Sequence, residues 1–218
     1  MLSKKILQII AILCLATTAV AGEYVDILNN SNSPPGSITQ CVVGSSGIEP
    51  NQCVSIPTPN SNLQGIAFNG NYAYITSFYM SPTTYTISAG YTQCFADSYG
   101  IESSTCTGVG IPNTSNYASQ AIAFNGDYAY VLSINPGDSN DYAYYTKCPV
   151  EATGLDTSQC NTSFIQFNNY PSYGFQAQPE AIAFIGNYAY ITDSILSNMY
   201  HYSCISICSK CTYNKYCT

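Results

Sequence analysis

The chain has 218 residues, of which only 8 % are charged, and twelve acidic against five basic side chains leave a net charge of −7. It contains no arginine, and beyond residue 5 only three lysines, Lys147, Lys210 and Lys215. That shortage of cationic donors argues against nucleic acid as a partner. The 21 tyrosines, set among many Ser, Thr and Asn, suit an extracellular β protein.

Residues 1–21 read as a secretory signal. Lys4 and Lys5 form a short basic region, Ile6 to Val20 an apolar one, and Ala19-Val20-Ala21 a small-residue cleavage site. The apolar run is short for a membrane span, and Leu13 before Cys14 does not fit a lipoprotein site. The expectation is therefore no membrane association after cleavage. Cleavage after Ala21 leaves ten cysteines, an even number, which in an exported chain predicts disulfides.

The remaining chain, 22–218, is read as one all-β domain built from a repeat. Gly65-Ile-Ala-Phe-Asn-Gly-Asn-Tyr-Ala-Tyr-Ile75 recurs from Ala121 and from Ala181, so the period is about 55–60 residues, as in propeller-like arrays. Each copy alternates on both sides of a glycine, as in Ile66-Ala67-Phe68 and Tyr72-Ala73-Tyr74-Ile75. Asn69-Gly70 and Asn125-Gly126 predict type I′ hairpins, while Ile185-Gly186 keeps only the glycine. A second hairpin per unit is marked by cysteines twelve residues apart: Cys41 and Cys53 about Gly47, Cys94 and Cys106 about Gly100, Cys148 and Cys160 about Gly154. Opposed antiparallel residues lie within disulfide reach, so three intra-hairpin bridges are predicted.

Two hairpins in series give four strands, a to d, per unit, which is a propeller blade. Four blades are expected, at about 22–60, 63–110, 119–168 and 179–218. Gly22-Glu23-Tyr24-Val25-Asp26-Ile27 lines up with Gly70 to Ile75, so the first blade is expected to lack its inner strand. Only Thr218 follows Cys217, with nothing to replace that strand. The expectation is an imperfect ring, a truncated repeat array, or an open arc that self-associates through its blade edge.

"YAYITSF", "YAYVLSI" and "YAYITDS" resemble the YVTN run of bacterial exported β-propeller repeat proteins, and "GIAFNG" resembles that family's preceding inner strand. The resemblance covers most of the mature chain and implies a propeller in a secreted or periplasmic protein. Among larger relatives it implies lactonase-like, cofactor-binding or surface-scaffold roles. Four blades are fewer than that family's usual ring.

Connections a–b are constant in length, whereas b–c and d–a vary, with long segments at 79–84, 135–142 and 161–179. In a meander the variable connections share one face, and loops on a rigid frame are where binding resides. They carry Tyr79, Tyr117, Tyr142, Tyr170, Tyr173 and Phe175, the candidate binding face for a protein or glycan. No catalytic set, metal site or cofactor is expected. His201 is the only histidine, there is no nucleophile elbow or phosphate loop, and the Asp138, Asn140, Asp141 loop matches no calcium spacing. Cys204, Cys208, Cys211 and Cys217 include a C-x-x-C that suits zinc chemistry, but export points to two more disulfides, Cys204–Cys217 and Cys208–Cys211. The leading reading is an exported, non-enzymatic binding protein. A lactonase-like hydrolase and a purely structural envelope component are the alternatives.

Overall fold

A computed structural model describes residues 18–21, 24–29, 35–80, 83, 86–137, 142–166, 178–186, 188–193 and 205–208. They form an all-β, propeller-like arrangement of four antiparallel sheets. The first runs β1 (Thr18–Ala21), β2 (Tyr24–Asn29), β3 (Gly36–Gly44) and β4 (Gly47–Thr58). The second contains β5 (Leu63–Asn69), β6 (Tyr72–Met80), β7 (Ile87–Asp97), the short β8 (Gly100–Ile101) and β9 (Thr107–Ser115). The third repeats it with β10 (Ala118–Asn125), β11 (Tyr128–Ile134), β12 (Tyr142–Glu151), β13 (Gly154–Leu155) and β14 (Asn161–Gln166). The fourth is described as β15 (Pro179–Ile185), β16 (Tyr188–Asp193) and β17 (Ile205–Cys208).

Consecutive sheets pack face to face, with the inner strands β5, β10 and β15 adjacent to one another. Among the described residues, no extensive contact joins the fourth sheet to the first. Strand alternation produces this packing. In the second strand of the second, third and fourth sheets, Ala73 and Ile75, Ala129 and Val131, and Ala189 and Ile191 are buried on one face. The opposite face carries tyrosines that reach the next sheet: Tyr74 lies 5.1 Å from Phe124 and Tyr130 lies 4.7 Å from Phe184, ring centre to ring centre. Each interval between sheets thus has its own apolar layer, and aromatic burial of this kind dominates such layers.

Three expectations need correction. The first sheet does possess an inner strand, because Thr18–Ala21 pairs with Tyr24–Ile27 in the register of the other units. Small and β-branched residues that read as the end of a signal suit a short inner strand equally well. Cleavage after Ala21 would remove β1 and leave β2 as the sheet edge.

The a–b turns are not the predicted type I′. Their two loop residues are Gly70-Asn71 and Gly126-Asp127, with Asn69 paired to Tyr72 and Asn125 to Tyr128. Among these loop residues positive φ falls on the glycine alone, 55° at Gly70 and 58° at Gly126, the pattern of a II′ turn. Gly186 repeats it at 58°. That is why the third copy tolerates isoleucine at 185: only the glycine has to enter left-handed space.

The outer strand is also not continuous in the second and third sheets. A 3-10 turn at Ser103–Thr105 or Thr157–Gln159 interrupts it just before the second cysteine. The carboxylate of Asp156 caps the latter by accepting from Ser158 N–H at 3.0 Å.

The three predicted bridges are present: Cys41–Cys53, Cys94–Cys106 and Cys148–Cys160, with Cα separations of 4.0, 4.1 and 4.2 Å. They imply an oxidising compartment. Among the described residues, no helix is long and apolar enough to cross a membrane. Cys208 falls in β17, but its side chain and Cys204, Cys211 and Cys217 lie outside the described residues, as do both predicted C-terminal pairings.

The glutamines before the first cysteine of the first and second sheets, Gln40 and Gln93, each reach the following sheet. Gln93 Nε2 donates to the Thr153 carbonyl at 2.8 Å, across 60 residues of sequence. Its carboxamide fills the space where a Cβ on Gly154 would stand, and Gln40 does the same at Gly100.

Candidate functional site

The described strand ends that enter and leave the b–c and d–a connections lie on one face of the array, as a meander requires, and the tight turns at 45–46, 70–71, 98–99, 126–127 and 152–153 occupy the other. Two clefts open on the variable face at equivalent places in successive units. The first, about 300 Å³, lies between the connection Pro59–Ser61 and strands β6, β7 and β9. The second, about 380 Å³, lies between residues 112–117 and strands β12 and β14.

Both are roofed by connections that are held in place. Asn60 Nδ2 donates to Ser77 Oγ at 3.0 Å, and the Asn60 carbonyl accepts from Gly36 N–H at 3.0 Å. In the second cleft the buried Thr114 hydroxyl donates to the Ile111 carbonyl at 2.6 Å, and Tyr117 N–H donates to the Thr114 carbonyl at 3.0 Å. Asn113 and Asn116 adopt φ of 60° and 71° there, a backbone that asparagine accepts more readily than most residues. These connections are ordered before any ligand arrives, which lowers the entropic cost of binding.

The walls of the two clefts differ at matched positions. Four residues before the first cysteine and four after the second, the second sheet has Gly90 opposite Gly110, and the third has Tyr144 opposite Phe164. The first cleft is therefore glycine-floored, with Phe78 and Tyr79 at its rim. The second has an aromatic wall. Tyr117 meets Tyr144 edge-on at 4.6 Å, and Tyr142 lies 4.9 Å from Phe164. A further exchange lies beneath. Thr146 and Thr162 share a hydroxyl hydrogen bond of 2.8 Å, whereas Gly108 faces Thr92 and leaves the buried Thr92 hydroxyl without a partner.

Of the residues singled out in the sequence, Tyr79 is 58 % exposed at the first cleft, Tyr117 lines the second, and Tyr142 belongs to its ring cluster. Tyr170, Tyr173 and Phe175 lie outside the described residues, as do His201 and the Asp138 to Asp141 loop. Phe164 and Tyr144 escaped attention because they sit on strands rather than loops. Their offsets from Cys148 and Cys160, compared with Gly90 and Gly110, are the signal that marks them.

Ionisable groups are few. Asp26 is fully buried at the position that Tyr74 and Tyr130 hold in later sheets. Burial raises its pKa to about 6, and the bond donated by Gln40 Nε2 to Oδ1 at 2.8 Å partly opposes that. Its other oxygen has no partner. Burial likewise pushes the Tyr74 and Tyr91 hydroxyls up to about 12, which fits packing rather than proton transfer. Hydrogen bonding, chiefly from Ser158, holds the Asp156 carboxyl low. Lys147 lies over the Tyr128 ring, 3.6 Å from its centre. Among the described residues, no three His, Cys, Asp or Glu side chains cluster as a metal set would. No protein-family model matches the chain, and no curated protein matches it.

Proposed function

We propose that the chain is an exported, four-bladed β-propeller repeat protein, secreted or periplasmic, that binds a protein or glycan without catalysing a reaction on it. The variable face is the recognition surface. The observation that carries this reading is the pair of pre-ordered clefts at equivalent positions on that face, whose linings diverge while the frame beneath is kept. Repetition preserves the packing residues, Ala73 with Ile75 and Ala129 with Val131, and spends its variation on the cleft walls. Aromatic side chains flanked by Asn, Ser and Thr form a recognition surface at low entropic cost.

The test is a screen of the purified, oxidised protein against immobilised glycans and extracellular proteins, with parallel assays for lactone and glycoside turnover. Specific capture is expected, lowered by replacing Tyr79, Tyr117 and Tyr142 together with alanine. Replacing Tyr99 and Ile48, exposed near the opposite turns, should leave it unchanged. Turnover of a lactone or glycoside, or capture that depends on Tyr99 and Ile48, would contradict the reading.

A further inference from the structure

The second cleft carries a more specific assignment, which rests on the binding reading above. We propose that it is a subsite for a neutral carbohydrate, with a sugar ring stacked on Phe164 and Tyr144 and its hydroxyls met by Asn113, Asn161 and Thr162.

The aromatic wall is the first reason. Phe164 is 61 % exposed on the outermost strand of its sheet, where a large apolar ring gains nothing from the core. It is nevertheless built into a continuous run of rings: Tyr144 stands opposite it in register, Tyr142 touches it, and Tyr117 closes on Tyr144 from across the cleft. Exposed aromatic surface gathered at one concave place marks a contact site.

The polar rim is the second. Every polar side chain lining the cleft is an amide or a hydroxyl, and none is charged at neutral pH, Cys160 being in a disulfide. A charged ligand would lose hydration there without a countercharge, and an anion would also meet a protein of net charge −7. A wholly apolar ligand would leave the amides unused. A sugar presents both complements, with C–H faces for the rings and O–H groups for the edges. The volume, about 380 Å³, lies within the usual range for small-ligand sites of roughly 300–1,000 Å³.

The sister cleft supplies the contrast. With Gly90 and Gly110 in place of Tyr144 and Phe164, it has the same outline but lacks the stacking wall. The site therefore belongs to one unit and not to the repeat as such.

The experiment is isothermal titration calorimetry of the full, oxidised chain with malto-, cello-, chito- and laminari-hexaose, together with sialyllactose and choline as charged probes. At least one neutral hexaose should bind. Phe164→Ala should weaken it at least about tenfold, the scale of losing one aromatic anchor, while Phe164→Tyr and Tyr99→Ala should leave it within about twofold. Phe164 is exposed, so the alanine variant should fold, and an unchanged circular dichroism spectrum establishes that it has. Three results overturn the assignment: no neutral hexaose binds, sialyllactose or choline binds instead through Phe164, or a hexaose binds equally well to Phe164→Ala. A hexaose lost with Tyr79→Ala but not with Phe164→Ala would sink this subsite and leave the binding face standing. A hexaose lost only with Tyr99→Ala would sink both.

Discussion

Asp26 sets up a stability change whose sign runs against the usual behaviour of carboxylates. In the first sheet it replaces the tyrosine that later units place between sheets, and its side chain is fully buried. Burial raises its pKa from the ordinary 3.8 to about 6. The folded state thus prefers the protonated acid, and folding stability from this group is present below pH 4 and lost as pH rises toward 6. At about 1.4 kcal/mol per pH unit, the penalty above pH 6 is at most about 3 kcal/mol. Asp26→Asn keeps an oxygen to accept from Gln40 and removes the ionisation. Urea unfolding with the bridges intact, at pH 4 and pH 7.5, measures it. The variant should match the parent at pH 4 and exceed it by about 1–3 kcal/mol at pH 7.5, the range allowing for relaxation around the site. An advantage equal at both pH values, or a variant less stable at pH 7.5, would refute the reasoning.

Glycines of two kinds should respond differently. Gly126→Ala, at φ 58° with open space around it, should cost about 1–2 kcal/mol of backbone strain in thermal or urea unfolding. Gly100→Ala should cost more, because the Gln40 carboxamide occupies the new methyl's position and is tied to Asp26. Non-reducing peptide mapping should join cysteines only within a sheet for the first three pairs, and removing Cys94–Cys106 should lower stability by about 3 kcal/mol, the chain-entropy scale for so short a loop. Tyr74→Ala should lower it by about 3–5 kcal/mol, since that ring is buried between the second and third sheets against Phe124.

The repeat made most of the frame legible. Alternation around a recurrent glycine gave strands β5 with β6, β10 with β11 and β15 with β16, and cysteines placed symmetrically about Gly47, Gly100 and Gly154 gave the three bridges. What stayed hidden has local causes. Thr18–Ala21 serves as a strand, yet its composition is also that of a signal's end. The 3-10 turns rest on local hydrogen bonds that carry no periodicity, from Ser158 N–H to the Asp156 carboxylate in one and from the Thr105 hydroxyl to the Glu102 carbonyl in the other. Type I′ was expected from the Asn-Gly pair, but pairing of Asn69 with Tyr72 moved the turn by one residue and left only glycine under constraint. The cleft walls were missed for a different reason. Tyr144 and Phe164 look like ordinary strand aromatics until their offsets from the cysteines are set against Gly90 and Gly110.

Hydrogen–deuterium exchange of the full, oxidised chain, free and with a bound glycan or protein ligand, tests most directly where recognition occurs. Protection should rise in peptides covering 59–61, 78–90, 108–117 and 142–144, and with a glycan also 161–164, the connections and strand segments that line the two clefts. Peptides covering the turns at 45–46, 70–71, 98–99, 126–127 and 152–153 should exchange as before. Protection concentrated at those turns, with the variable face unchanged, would contradict the assignment of the binding surface.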